Sequence, residues 1–360
     1  MSSNQAVELD SSKKEAFTER MTGILNDGFL GLMISVGHRT GLFDTMADLS
    51  PSTSAEIASA AGLQERYVRE CLGALVTGKI VDYDPKPRTY ALPKEHAASL
   101  TRRAGADNLA AFVRFMPLVS KVEDRIVDCF RKGGGVPYSE YDGFSEAMHE
   151  ASSPMFDASL MEEVLPMVPE LTASLKKGID VLEVGCGSGH ALMLMAMKFP
   201  ESRFVGYDLL EDSVAMGKAH AKEAGIENVS FEKKDVTTMT HEGQFHVVTA
   251  FDTVHDQARP DVLLSGIARA LKQAGTFLMA DVKASTRLEN NLDHPIAPFL
   301  YSISCMHCMT VSLAQNGAGL GAMWGEEKAR EMIEEAGMKL VDIKQAPNDP
   351  FNNFYIARKP

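Results

Sequence analysis

Residues 180–189 read DVLEVGCGSG. A short run of β-formers carries one acid, Glu183, and then breaks into glycines at every second position: Gly185, Gly187 and Gly189. The run is the right length for a buried strand, and the glycines end it in a loop whose backbone can take angles closed to other residues. In an open α/β sheet, ligands bind beyond the carboxyl ends of the strands, where such a loop would lie.

The sequence downstream alternates in the same sense. Strands are expected over 180–184, 203–207, 229–232, 246–251 and 276–281. Helices are expected over 191–199, 211–224 and 261–273, and a helix over 326–336 precedes two further strands over 339–344 and 353–358. Strand–helix alternation implies right-handed βαβ units and a parallel sheet, so the fold class is α/β and Rossmann-like. Two more acids follow the loop at strand ends. Asp208 closes RFVGYD, about twenty residues on, where a carboxylate can accept ribose hydroxyls. Asp235 closes EKKDV after the third strand.

A dinucleotide would use G-x-G-x-x-G, which aligned on Gly185 and Gly187 needs a small residue at 190; His190 stands there. The pattern is instead E-x-G-x-G-x-G. It resembles motif I of class I S-adenosylmethionine-dependent methyltransferases, and with Asp208 and Asp235 in order it disfavours a nicotinamide oxidoreductase. The resemblance implies S-adenosylmethionine as cofactor. The loop backbone would hold its amino-acid tail, Asp208 the ribose and Asp235 the adenine; the implied cofactor residues are Glu183, Gly185, Cys186, Gly187, Gly189, Asp208, Leu209, Asp235, Val236 and Phe251.

Upstream, residues 1–95 read as a winged helix: a long helix over 14–41, a short helix capped by Ser54, a turn at Gly62, a helix over 64–77, then strands over 80–83 and 89–92. Residues 96–172 read as a helical connector and lid, broken at Gly133-Gly134-Gly135 and rich in methionines (Met148, Met155, Met161 and Met167) that suit a core or an adaptable pocket wall. Residues 173–360 form the α/β domain. This arrangement resembles the winged-helix O-methyltransferases of plants and bacteria. The tail segment and the FDTVHDQ loop look closest to a branch linked to small-thiol methylation. That likeness implies a homodimer, a small-molecule methyl acceptor with thiol or hydroxyl favoured, His255 as general base and Asp256 orienting it. The family pattern continues with Trp, whereas Gln257 follows here. His307, Cys308 and Trp324 are expected in the acceptor pocket. Gly317, Gly319 and Gly321 follow no strand and are expected to form a hinge near its cover.

Composition narrows the rest. Apolar residues make up 45% and charged residues 24%, as in ordinary globular chains, and the net charge is −13. That acidity argues against nucleic-acid binding by the whole chain. The helix over 64–77 sets Glu65 and Glu70 against Arg66 and Arg69, so it has no positive face. A ligand-sensing transcription regulator is therefore the second reading rather than the first. The polar N-terminus lacks a secretory core, and no uninterrupted apolar run suggests a membrane span. Five scattered cysteines, Cys71, Cys129, Cys186, Cys305 and Cys308, suit reduced thiols in the cytoplasm. Cys305-Met306-His307-Cys308 has no second ligand pair at finger spacing, so no metal is expected, and the apolar residues around it read as a buried helix.

Overall fold

The computed structural model describes residues 9–360. The first eight residues of the polar N-terminal stretch lie outside them. The chain divides into two compact units at Pro117/Leu118. The expected connector is thus shared out: residues 96–117 group with the N-terminal unit and 118–172 with the C-terminal one.

In the N-terminal unit a helix of 29 residues, Ser11–Arg39, precedes the short helices Ser54–Ala61 and Glu65–Thr77. Thr53, not Ser54, caps the first short helix: its side chain accepts from the Glu56 amide while the Glu56 carboxylate accepts from the Thr53 amide, a reciprocal capping box. Gly62 turns the chain at φ 65°, which a side chain resists. The antiparallel strands β1 (Asp82–Asp84) and β2 (Thr89–Ala91) pair Tyr83 with Tyr90, whose rings lie 4.8 Å apart. Phe43, Ile57, Leu72 and Leu75 are its fully buried core.

The C-terminal unit is built on seven strands: β3 (Asp180–Val184), β4 (Arg203–Asp208), β5 (Val229–Lys233), β6 (Phe245–Phe251), β7 (Leu271–Val282), β8 (Lys339–Ala346) and β9 (Asp349–Arg358). Their spatial order is β5-β4-β3-β6-β7-β9-β8. Five are parallel, and β9 runs antiparallel to both β7 and β8. Strands β3, β6 and β7 are buried along most of their length because helices cover both faces, while the edge strand β5 is mostly exposed. Leu192, Phe204 and Phe231 pack on one face; Leu263, Ile267 and Ile333 pack on the other. The helix expected over 261–273 is Pro260–Ala270, because the chain already enters β7 at Leu271, which pairs with Phe245.

Chain order reverses at β3, with β4 on one side and β6 on the other. A crevice must open there, at the carboxyl ends of β3 and β6. Two wide, π-type turns interrupt helices in this unit, Leu160–Val164 and Ser304–Cys308. The second lies in the helical run Ala297–Ala314, which is long and apolar enough to cross a membrane by length and composition. This is the apolar helix expected around residues 305–308. Ser304, His307, Cys308, Thr310 and Ser312 of this run are buried within the fold.

Candidate active site

The crevice at the strand ends holds a cavity of about 390 Å³, within the range of small-molecule sites. The glycine loop forms one wall. Gly185, Gly187 and Gly189 have φ of 65°, 54° and 73°, all in the left-handed region. A Cβ on Gly185 would meet the Thr253 side chain at 2.2 Å, and one on Gly189 would meet the Phe231 ring at 2.0 Å. Both positions therefore exclude side chains twice over, by angle and by space. Gly189 also caps the helix His190–Lys198, whose first amides point toward the loop.

Two carboxylates flank the loop. Glu183, in β3, is buried and accepts a long hydrogen bond from Thr249 Oγ1 at 3.4 Å. Burial pushes its carboxyl from 4.5 up to about 8, against the Thr249 hydrogen bond and with the help of Asp208. Asp208 ends β4. Its Oδ2 accepts from the Gly187 amide at 2.8 Å and its Oδ1 from the Leu210 amide at 2.9 Å. Burial raises its pKa while these amides oppose the rise. Asp208 thus fixes the loop and still presents free lone pairs to the cavity. Leu209, Asp235, Val236 and Phe251 line the same end, as do Cys186 and Gly187. Asp235 Oδ1 is held by the Thr237 amide and hydroxyl, at 2.9 and 2.6 Å, leaving Oδ2 clear of that turn. Ten cofactor residues had been expected from the sequence. Nine line the cavity: Glu183, Gly185, Cys186, Gly187, Asp208, Leu209, Asp235, Val236 and Phe251. Gly189 supports the loop from behind.

Buried acids at the depth of a glycine cradle suit a ligand carrying an ammonium group and a ribose. S-adenosylmethionine has both, so the residues fit it. Glu183 would stand at the amino-acid tail, Asp208 and Asp235 at the nucleoside.

The opposite end is built differently from the sequence expectation. His255 is buried and does not line the cavity; Asp256 does. His255 Nδ1 lies 2.7 Å from Asp281 Oδ1, at the end of β7, and His255 Nε2 lies 3.3 Å from Asp256 Oδ1. Burial disfavours an imidazolium, but the Asp281 and Asp256 carboxylates outweigh it and raise the pKa well above its usual value. A histidine clamped this way is not a free base. Asp281 is itself held by the Trp324 indole N–H at 3.0 Å and by the Val282 amide at 2.9 Å. Trp324 therefore packs away from the cavity, contrary to expectation, because its one donor is committed to a buried carboxylate. Cys308 is likewise buried behind the cavity wall, beside His255 and Asp256.

His307 does reach the cavity. It stacks on Phe144 at 3.7 Å and meets the rings of Tyr141 and Tyr138 edge-on. Burial lowers its pKa to about 4, so it is neutral. The Tyr138 hydroxyl donates to Asp256 Oδ2 at 3.1 Å. The segment expected to hinge, around Gly317–Gly321, is instead pinned: the Ala318 amide donates to the Ala258 carbonyl at 2.9 Å and the Gly321 amide to the His255 carbonyl at 3.2 Å.

Sequence reasoning missed Asp281, Tyr138, Phe144, Asp252 and His149, a cavity residue whose Nδ1 lies 2.7 Å from Ser188 Oγ of the glycine loop. Asp252, at the end of β6, sits at φ 49°, and burial together with Asp281 pushes its carboxyl up to about 8. An acid three residues before the His255-Asp256 pair was a signal in hand. Tyr138, Phe144 and His149 come from a distant helical stretch, and nothing local marks them.

Residues 28–102 match the family model described as Rv2258c-like winged HTH domain, and residues 175–337 match the one described as Methyltransferase domain. Among curated relatives, the fatty-acid O-methyltransferase of Mycolicibacterium smegmatis is 32% identical over 107 residues, 30% of this chain and 38% of that protein. The chain spans between about two-fifths and just under two-thirds of the length of the first such relatives. Among solved structures, human N-acetylserotonin methyltransferase in complex with SAM matches with a TM-score of 0.70 at 16% identity, covering 98% of this chain and 99% of that one. The mitomycin 7-O-methyltransferase MmcR matches with a TM-score of 0.71 at 17% identity, covering 97% and 100%. These likenesses establish the fold.

Proposed function

We propose that this chain, which carries a winged helix-turn-helix domain and a methyltransferase domain, transfers the methyl group of S-adenosylmethionine to a small-molecule acceptor. The observation that carries the reading is one cavity with two chemically distinct ends. A glycine cradle with Glu183 and Asp208 lies at one, and Asp256 with His307 lies at the other. When bound, the cofactor supplies a methyl group on a positively charged sulfur, already a good leaving group. The chain's part is mostly to position the partners and exclude water.

Glu183, Asp208, Asp235 and the backbone of Gly185 and Gly187 bind and orient the cofactor. Phe251 and Phe156, whose rings lie 5.3 Å apart, wall the site. Asp256 faces the acceptor and accepts from Tyr138, so it can take or hold the acceptor's proton. His255, braced by Asp281, is a positioning residue for Asp256. The aromatic walls (Tyr138, Phe144 and Phe156) favour a compact acceptor, with a thiol or hydroxyl as the methylated group. The O-methyltransferase names of relatives agree with a hydroxyl. Five free cysteines agree with a reducing compartment such as the cytoplasm. The exposed apolar face of helix Ser11–Arg39 supports a homodimer.

A ligand-sensing regulator finds less support. On helix Glu65–Thr77, Arg66 pairs with Glu70, and Arg69 lies 3.3 Å from Glu65, which neutralises the face that would meet phosphates.

The test is calorimetric titration with S-adenosylmethionine and S-adenosylhomocysteine, with NADH as control. Binding of the first two is expected. Asp208→Ala should abolish it while circular dichroism stays unchanged. Undiminished affinity in that variant would sink the site map.

A further inference from the structure

The acceptor end of the cavity conceals a cluster that positioning alone does not explain. Three carboxylates, Asp252, Asp256 and Asp281, crowd one imidazole, His255. Asp281 is fully buried, and its Oδ2 lacks a hydrogen-bond partner among the described residues. Among the described residues, Asp256 Oδ1 has none of good geometry either, and neither nitrogen of His307 has one, although His307 is only 2% exposed. A protonated His255 offsets one of these carboxylates; a second buried acid beside ring nitrogens without partners is costly unless a further cation joins them.

We propose that His255 Nε2, Asp256 Oδ1 and Cys308 Sγ form a binding site for a divalent transition ion, zinc by ligand type. These three groups lie within 4.8 Å of one another. Tetrahedral coordination with Zn–N and Zn–O bonds of about 2.0 Å separates two such ligands by about 3.3 Å. The His255 Nε2 to Asp256 Oδ1 distance is 3.3 Å. Both atoms already stand along an edge of the required tetrahedron.

The surroundings agree. Asp281 Oδ1, 2.7 Å from Nδ1, fixes the tautomer that leaves Nε2 for a metal, and Trp324 and the Val282 amide fix Asp281 in turn. Carboxylate–histidine–metal chains of this kind hold the ring in orientation and raise its basicity. Cys308 arrives from the wide turn Ser304–Cys308. Turns of that type are frequent at functional sites, and this one leaves His307 and Cys308, adjacent in sequence, both buried beside Asp256. His307 Nδ1 lies 4.0 Å from Asp256 Oδ2. A mixed nitrogen, oxygen and sulfur set suits zinc better than a hard ion. Three protein ligands leave a fourth position on the side where Asp256 and His307 border the cavity. On the methyltransferase reading, the acceptor's thiol or hydroxyl would enter there.

The site is tested on the full chain, stripped with a chelator and titrated with Co(II) under a phosphine reductant. One cobalt per chain is expected, with a thiolate-to-cobalt charge-transfer band that zinc displaces. Cys308→Ser should abolish the band and weaken zinc affinity at least about tenfold. Cys305→Ser, altering a neighbouring thiol outside the cluster, should change neither. Failure to bind either metal stoichiometrically at micromolar concentration would overturn the proposal, as would a band that survives Cys308→Ser. If that variant does not fold, X-ray absorption at the zinc edge of the wild-type chain decides. One sulfur with nitrogen and oxygen ligands supports the site; no sulfur, or sulfur only, overturns it. Parallel calorimetry with S-adenosylhomocysteine separates the two readings. Cofactor binding without metal removes the metal site alone; metal binding without cofactor removes the methyltransferase reading alone.

Discussion

Glu183 shows how one residue couples stability to the site. Its carboxyl is ordinary at 4.5 when exposed and near 8 in the fold. Between those values the folded chain holds a proton that the unfolded chain has released. Stability therefore falls as pH rises through that window, by at most about 1.4 kcal/mol per pH unit. The penalty is absent below 4.5 and complete above 8. Glu183→Gln removes it. Thermal melts of the two proteins should coincide near pH 4.5, and the variant should melt progressively higher toward pH 8. Parallel curves would show that burial does not hold this carboxyl neutral. The same substitution should weaken S-adenosylmethionine binding, because the chain keeps an acid at such a cost only where a ligand's positive group compensates.

At the scale of elements, the turn Ser304–Cys308 carries the corresponding argument. One residue more than an α-turn shifts every later side chain by about 100° around the axis. Deleting Cys305 would restore α-helical spacing and rotate the register that seats His307 between Phe144, Tyr138 and Tyr141. The expected outcome is a fall of at least about tenfold in S-adenosylhomocysteine release, with cofactor affinity within about twofold of wild type. Equal losses of both would mean that the turn supports the fold rather than the acceptor end. This contrast also marks what the sequence could convey. The cofactor end was legible because its chemistry is local: a strand, an acid and three glycines, each required by backbone angle or by space at known intervals. The acceptor end was not. Asp281 reaches His255 from 26 residues away and Tyr138 reaches Asp256 from 118 away. No periodicity reports such pairings. His255 was singled out as a base by its loop, but only the fold shows it clamped between Asp281 and Asp256, with Asp256 bordering the cavity. Trp324 was expected in the acceptor pocket, and its indole N–H is bound to Asp281 instead.

For the whole molecule, the helix Ser11–Arg39 raises the question of assembly. Phe17, Met21, Ile24, Leu25 and Phe29 recur at helical spacing on one face, and all are exposed, Phe17 and Phe29 by 65% each. Apolar stripes of this kind mark interaction surfaces. Each side chain buried would contribute about 1.5–3 kcal/mol, set against the cost of bringing two chains together. A second copy offers the same stripe, and a two-fold axis lets one face serve both partners. The helix bears charged residues on its other sides, including Lys13, Glu15, Glu19 and Arg20, which would remain in water with the stripe covered. Light scattering on a sizing column should give a dimer at micromolar concentration. Phe17→Glu with Leu25→Glu places four like charges across a two-fold interface and should yield a monomer, with S-adenosylmethionine affinity unchanged because no residue of the cofactor cradle lies on this helix. A monomeric wild-type chain would leave the stripe to some other partner and end the dimer reading.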